Sequence, residues 1–215
     1  MKLISWNLLH RDGAELADVA RLIESQQPDL LLMQEATRAI EGLCALVGGA
    51  CTRSPLPGRV HGLAIWTPAP PPRPVLALPL PSGPVVQRVW QMADLGDFAI
   101  ANVHLSQGQL LNRMQLRHIA RLLPHRAAVV GDYNVVGPTL LPGFHDGGPR
   151  RHTHRMSDVL PLRLDRCLVR GLVCTEADVL ARGASDHRPI MLRLGLPASL
   201  EHSKIGQQQA GACVA

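Results

Sequence analysis

Apolar residues fall along this chain in short runs, and several of the runs stop abruptly at an acid, an amide or a histidine. Leu3-Ile4-Ser5-Trp6-Asn7-Leu8 reads as a buried strand. Asp12 and Glu15 have capping-box spacing ahead of an amphipathic helix with Leu16, Val19, Ala20 and Ile23 on one face, ended by Pro28. Leu30-Leu31-Leu32-Met33 is a continuous apolar run into Gln34-Glu35, as a strand covered on both faces would be. Thr37 is placed to cap a second helix carrying Ile40, Leu43, Cys44 and Val47, closed by Gly48-Gly49. Residues 62–67 predict another strand, and the proline-crowded stretch 68–84 a rigid extended connection or sheet edge. Residues 85–93 and 98–105 predict an antiparallel pair turning at Leu95-Gly96-Asp97.

The spacing then predicts a helix over 109–123, with Leu110, Met114, Leu116 and Ile119 inward, Arg113, Arg117 and Arg121 outward, and Pro124 as its stop. Ala127-Ala128-Val129-Val130 predicts a buried strand that empties into Gly131-Asp132-Tyr133-Asn134. Residues 135–160 lack periodicity and read as a long loop, a kind of segment that often carries function. Strands over 162–169, 172–180 and 187–196 complete the set. Beyond Pro197 the chain turns polar and Gln/Gly-rich, which predicts one domain over 1–196 and a disordered tail over 197–215.

The 215 residues suffice for one domain with a single core, and 46% apolar content fits a globular protein. No apolar run approaches the roughly 18–20 residues of a membrane span. The first strand starts at Lys2, so a signal peptide is not expected, and a cytoplasmic monomer is. Five cysteines form neither a CxxC pair nor a zinc pattern. The net charge is +5, and the basic residues are Arg apart from Lys2 and Lys204. Such a surface favours phosphate-bearing partners, nucleic acid or anionic lipid headgroups, although a compositional bias towards Arg explains the excess equally well. Aromatics at 3% argue against a base-stacking platform.

The polar residues at strand ends change the picture most: Asn7, Glu35, His104, Asp132 with Asn134, Asp165, and Asp186 with His187. An acid directly after several aliphatics is costly unless it is hydrogen-bonded, paired or bound to a cation. Any one of them could be a turn or a cap; so many together are better explained by a shared site. Glu35, Asp132 and Asp186 with the amides Asn7 and Asn134 make an oxygen-rich donor set suited to Mg²⁺ or Mn²⁺ rather than zinc or iron. Two histidines beside such a cation suit phosphoryl chemistry.

Ser5-Trp6-Asn7, Pro28-Asp29 through Gln34-Glu35, Asn102-Val103-His104-Leu105, Gly131-Asp132-Tyr133-Asn134, Leu164-Asp165-Arg166 and Ser185-Asp186-His187-Arg188-Pro189 follow one another across residues 5–189. In that order they resemble the endonuclease/exonuclease/phosphatase superfamily of metal-dependent phosphoesterases. The resemblance implies a four-layer α-β-β-α sandwich of two mostly antiparallel sheets with the site at one end. It implies Glu35 as main metal ligand with Asn7 beside it, and Asp132, Asn134 and Asp186 in the metal and phosphate shell. Asp132 would orient or deprotonate the attacking water, Asn134 contact the phosphate, and His187 touch a phosphate oxygen with Asp165 fixing it from behind. His104 resembles a histidine of the deoxyribonuclease-like and sphingomyelinase-like branches. The base is left open between Asp132 and the Asp165–His187 pair.

The expected activity is therefore phosphoester hydrolysis, of nuclease type before a lipid-headgroup or small-molecule phosphodiesterase or phosphatase; a catalytically silent binding module is the alternative of another class. Leu9 stands where abasic-site endonucleases carry a second acid, and Arg166 where the family commonly has Tyr. Arg150, Arg151 and Arg155 lie in the long loop and are candidates for binding substrate phosphates, as much as for a solvated charge run. His10, His118 and His145 have no neighbour in sequence that demands a role, and Arg188 is expected to brace its loop.

Overall fold

The structure is a computed structural model that describes residues 1–83, 86–156 and 159–198; the predicted tail lies, from residue 199, outside them. One sheet runs in the order β13 (Val173–Val179), β14 (Ile190–Gly195), β1 (Lys2–Asn7), β2 (Leu30–Thr37), β4 (His61–Thr67), β3 (Ala50–Pro55). The other runs β5 (Leu76–Pro79), β6 (Val89–Asp94), β7 (Ala99–His104), β8 (Ala127–Asp132), β12 (Asp165–Arg170), β9 (His145–Asp146). A separate hairpin pairs β10 (His154–Met156) with β11 (Leu160–Leu162). All neighbours are antiparallel except β1–β2 and β7–β8. Those two parallel pairs are joined by α1 (Leu16–Gln26) and α3 (Gln109–Leu122), because parallel neighbours need a crossover and a helix supplies it. The expected two-sheet sandwich is therefore present.

Side-chain alternation makes the layers. Leu3, Leu30, Leu32, Ile65, Ile100, Ala128, Val130, Cys167 and Val169 form the core between the sheets. Ile4, Trp6, Leu31, Met33 and Trp66 face the other way and pack against α1 and the short α2 (Leu43–Val47). Ala99, Ala101, Val103, Ala127 and Val129 pack against Leu116 and Ile119 of α3. Both faces of the central strands are covered, hence their unbroken apolar runs. The inward row also has a gradient: Leu3–Ser5–Asn7, Ile100–Asn102–His104, Ala128–Val130–Asp132 and, read backwards, Val169–Cys167–Asp165. Each row is apolar in the middle of the sandwich and polar at one end.

Between core and polar end lies a buried amide layer. Gln34 Nε2 donates to Ser5 Oγ at 3.1 Å and to Asn102 Oδ1 at 2.8 Å. Asn102 Nδ2 donates to Ala64 O at 3.1 Å and Gln91 Oε1 at 3.0 Å, and Gln91 Nε2 to Ser54 Oγ at 2.9 Å. The layer ties one sheet to the other.

Several local expectations are corrected. Glu15, not Asp12, stands at the α1 N-cap, its N–H donating to Asp18 Oδ2 at 2.9 Å. The second helix is split into a 3₁₀ turn over Arg38–Gly42 and α2, and Thr37 makes no side-chain cap bond. Leu110 and Met114 of α3 are exposed; its inward face is Asn112, Gln115, Leu116 and Ile119. Asn112 and Gln115 are buried because they satisfy loop groups: Asn112 Nδ2 donates to Tyr133 O, and Ser106 N–H donates to Gln115 Oε1. The long loop contains β9 and the β10–β11 hairpin. Among the described residues no helix is long and apolar enough to cross a membrane.

Candidate active site

Strand geometry gathers the predicted residues. Asn7, Glu35, His104 and Asp132 lie at or near the C-terminal ends of β1, β2, β7 and β8, while Asp165 opens antiparallel β12 opposite Asp132. Glu35 sits at an irregularity in the β2–β4 register between Gln34 and Ala36, with φ 55°. Leu9 at φ 54° and Asn134 at φ 50° are likewise left-handed. Among the described residues, three of the four non-glycine residues with positive φ thus line one cavity, and such backbone clusters where surrounding structure enforces it. Gly131, at φ 142°, is needed where β7 and β8 run close: a Cβ there would lie 2.1 Å from Val103 O.

The Ser185-Asp186-His187 stretch is fastened to β1. Ser185 Oγ donates to Asn7 O at 2.7 Å and accepts from His187 N–H at 3.1 Å, while Trp6 Nε1 donates to His187 O at 3.0 Å. Gly183 passes the Trp6 ring so closely that a Cβ would be 2.7 Å from it. Arg188 braces the loop through Leu180 O at 2.9 Å, as expected.

The side chains surround a cavity of about 670 Å³. Asn7 Nδ2 donates to Asp132 Oδ2 at 3.0 Å and lies 3.5 Å from Glu35 Oε1. Asp132 Oδ1 accepts the Asn134 N–H at 2.8 Å, and Asn134 Nδ2 donates to Leu105 O at 3.0 Å. His104 Nε2 is 3.5 Å from Asp132 Oδ2 and 4.0 Å from Glu35 Oε1. His187 bonds through Nδ1 to Asp165 Oδ2 at 2.8 Å, and its Nε2 lies 3.8 Å from Asp132 Oδ2. Asp186 pairs with His154 Nε2 at 3.2 Å.

The two histidines facing Asp132 are set in opposite protonation states. For His187, burial works against the charged form, but Asp165 and then Asp132 outweigh it and raise its pKa to about 10. For His104, burial dominates over the attraction of Asp132, with Arg88 adding to the effect, and its pKa falls to about 4. Burial would raise Glu35, but His104 and His10 more than offset it and hold the carboxyl at about 2. Burial likewise opposes ionisation of Asp186, and the bond from His154 and the charge on His187 overcome it, so its pKa is lowered.

A Glu35 carboxylate ionised at neutral pH, flanked by Asn7 and Asp132 and open to the cavity, has the donor chemistry a divalent cation requires. Asn134 and Asp186 line the same cavity. Among the described residues, the one group of three histidine or carboxylate ligand atoms within 4.8 Å of each other is His154, Asp186 and His187. In that cluster His187 Nδ1 is taken by Asp165 at 2.8 Å, so His187 has only Nε2 left to face a cation.

The three candidate substrate arginines are not among the lining residues. Arg150 pairs with Asp146 at 3.6 Å and Arg151 with Asp178 at 3.3 Å. Arg155 is exposed and contributes to a neighbouring pocket with His152, Arg182 and Arg188 that shares Asp186. Three lining or contacting groups, His10, His61 and Arg88, were not legible in sequence, and a fourth, His154, lies within the basic run 150–155. His10, which no neighbour in sequence marks for a role, contacts Glu35 Oε2 through Nδ1. His61, Arg88 and His154 line the cavity. Arg88 Nη1 donates to His104 O at 2.9 Å. His61 opens β4, whose pairing with β2 brings it to the Glu35 end; no local motif announces that pairing.

No curated protein sequence matches the chain. Solved structures share its fold at low identity. A functionally unknown conserved protein from Enterococcus faecalis V583 aligns with a TM-score of 0.73 at 18% identity, over 92% of this chain and 100% of that one. An endonuclease/exonuclease/phosphatase from Bacteroides vulgatus aligns at 0.73 and 17%, over 91% and 98%. TDP2 from C. elegans aligns at 0.67 and 18%, over 91% and 75%. The family model described as the Endonuclease/Exonuclease/phosphatase family matches residues 4–187, a span that holds the strand-end residues from Asn7 to His187. The chain belongs to that family.

Proposed function

We propose that this protein hydrolyses phosphodiesters with a divalent metal, Mg²⁺ or Mn²⁺, by in-line attack of a water held at Asp132. The observation that carries this reading is the facing of Asp132 by an ionised Glu35 cradle on one side and the Asp165–His187 pair on the other. A cation bound by Glu35 and Asn7, with Asp132, Asn134 and Asp186 around the same space, would neutralise charge on the phosphoryl oxygens. The remaining work falls to the side chains. His187 lies between two carboxylates and donates its one bonded N–H to Asp165, so it serves as a cationic partner of a phosphoryl oxygen and not as the base. That leaves Asp132 to orient the water and take its proton. Neutral His104 borders the same oxygen of Asp132 and is placed to hydrogen-bond the phosphate.

The net charge of +5, with Arg59 and Arg88 in the cavity wall, supports nucleic acid as substrate and an endonuclease or exonuclease action; the reading keeps the chain as a cytoplasmic monomer. A second reading has its own observation. Leu9, Leu56, Val86, Val136, Leu162 and Leu164 line the same cavity, and Val60, Val136 and Val159 on loops, Leu110 in the first turn of α3 and Leu160 at the start of β11 are exposed. An apolar mouth over a polar floor favours a lipid-borne phosphodiester.

The test is a turnover panel with Mg²⁺, Mn²⁺ and EDTA, run beside Asp132→Ala. It covers plasmid and single-stranded DNA, bis-p-nitrophenyl phosphate, and phospholipid and inositol-phosphate substrates. Metal-dependent nicking absent from the variant supports the nuclease reading, and cleavage confined to the lipid set replaces it with the second. DNA binding without turnover of any substrate would overturn the hydrolase reading in favour of a binding module.

A further inference from the structure

The turn after β1 folds back on the site. Leu9, at φ 54°, reverses the chain, its N–H held by Asn7 Oδ1 at 3.1 Å. The following N–H, that of His10, points to Glu35 Oε2 at 3.3 Å, and His10 Nδ1 contacts the same oxygen. The His10 ring is stacked on His61 with centroids 3.9 Å apart and planes at 25°. His61 Nδ1 is buried and has no hydrogen-bond partner, so this corner of the site holds an unspent imidazole donor atom as well. His10 is thus oriented by backbone and by stacking, with a ring nitrogen beside the carboxylate best suited to the cation.

We infer that His10 is a ligand of the same cation as Glu35, making this a mixed imidazole–carboxylate site that prefers first-row transition ions to Mg²⁺. The inference rests on the metal-dependent reading above. Its chemical basis is that Mg²⁺ takes oxygen donors and keeps its waters, whereas an imidazole nitrogen adds affinity along the series from Mn²⁺ through Co²⁺ to Ni²⁺. An oxygen-only site would rank the ions in a similar order, so the decisive quantity is how much of the preference His10 itself supplies.

The experiment is calorimetric titration of the full chain with Mg²⁺ and Co²⁺, for the wild type, His10→Ala and His10→Gln, with Co²⁺ absorption recorded alongside. Circular dichroism confirms folding, and no turnover is needed. The expected result is a loss of about tenfold or more in Co²⁺ affinity in both variants, Mg²⁺ affinity within about threefold of wild type, and changed Co²⁺ ligand-field bands. Equal losses for both ions would mean that His10 only positions Glu35 and would overturn the inference. Tighter binding of both ions would overturn it too, by making His10 a counter-ion that the metal displaces. Absence of binding by any protein would instead strike at the metal-dependent reading beneath it.

Discussion

Asp165→Asn isolates the electrostatic role of a residue that never faces the cavity. The substitution keeps the size of the side chain and a hydrogen-bond partner for His187 Nδ1, but it removes the buried negative charge 2.8 Å from the ring. In the wild type the His187 pKa rises from 6.5 to about 10, with Asp165 the strongest of the raising influences and Asp132 the next. At about 1.36 kcal/mol per pH unit, the folded protein favours the imidazolium by roughly 5 kcal/mol. Without Asp165, burial opposes the charge and Asp132 at 3.8 Å acts alone, so the pKa falls to neutrality or below. If a cationic His187 holds the phosphoryl oxygen, activity at pH 7.5 falls by about 10²–10⁴, and the alkaline limb of the rate profile moves from near pH 10 to near or below neutral. Part of the activity returns as the pH is lowered towards 6.

Stability supplies an independent readout. A pKa raised on folding contributes stability that is fully present below the unfolded value near 6.5 and is lost as the pH rises through about 10. Wild-type stability should therefore decline across that window, and the variant should show little of the decline. The assays are bis-p-nitrophenyl phosphate hydrolysis from pH 5 to 10.5 and urea unfolding over the same range. An unshifted alkaline limb in a folded Asp165→Asn protein would refute the assignment of the charge to His187.

Two further substitutions test the scaffold. Gly131→Ala drives a Cβ to 2.1 Å from Val103 O at a φ of 142°, so it is expected to destabilise by more than about 2 kcal/mol and to lower the melting temperature by at least about 5 °C; a neutral outcome in differential scanning fluorimetry would contradict the close β7–β8 approach. Asn102→Leu strips partners from Gln34, Gln91 and Ala64 O inside the sandwich and should cost about 3–5 kcal/mol by urea unfolding, and a loss under about 1 kcal/mol would mean that the amide layer is not a connected network.

The strand-end residues were legible because an acid after a run of aliphatics conflicts with burial unless something compensates it. Alternation then assigns Asn7, His104, Asp132 and Asp165 to the inter-sheet face without any knowledge of sheet order. What failed was reading inwardness from hydrophobicity alone. Asn112 and Gln115 of α3 are buried because loop groups need their amides, and they displace Leu110 and Met114 to the surface. β3 was missed because Ala50-Cys51-Thr52-Arg53-Ser54-Pro55 is a polar edge segment held by its pairing with β4. His10 and His61 were hidden for a related reason: their neighbours come from a reversed turn and from a strand pairing, which no local pattern encodes.

Dispersion and the hydrophobic effect hold two sheets together without specifying how they are aligned, because apolar contact is nearly indifferent to sliding. Ser5, Gln34, Asn102, Gln91 and Ser54 remove that indifference: the directional bonds from Gln34 Nε2, Asn102 Nδ2 and Gln91 Nε2 form in this alignment, and sliding one sheet past the other by a residue would break them. The layer therefore works as a keyed joint between the half of the molecule that brings Asn7 and Glu35 and the half that brings His104 and Asp132. Loops around the mouth can then be lengthened, shortened or exchanged without detuning the distances beneath them. Redesigning this protein for a new phosphodiester should accordingly leave the five keyed side chains untouched and spend its changes on the rim.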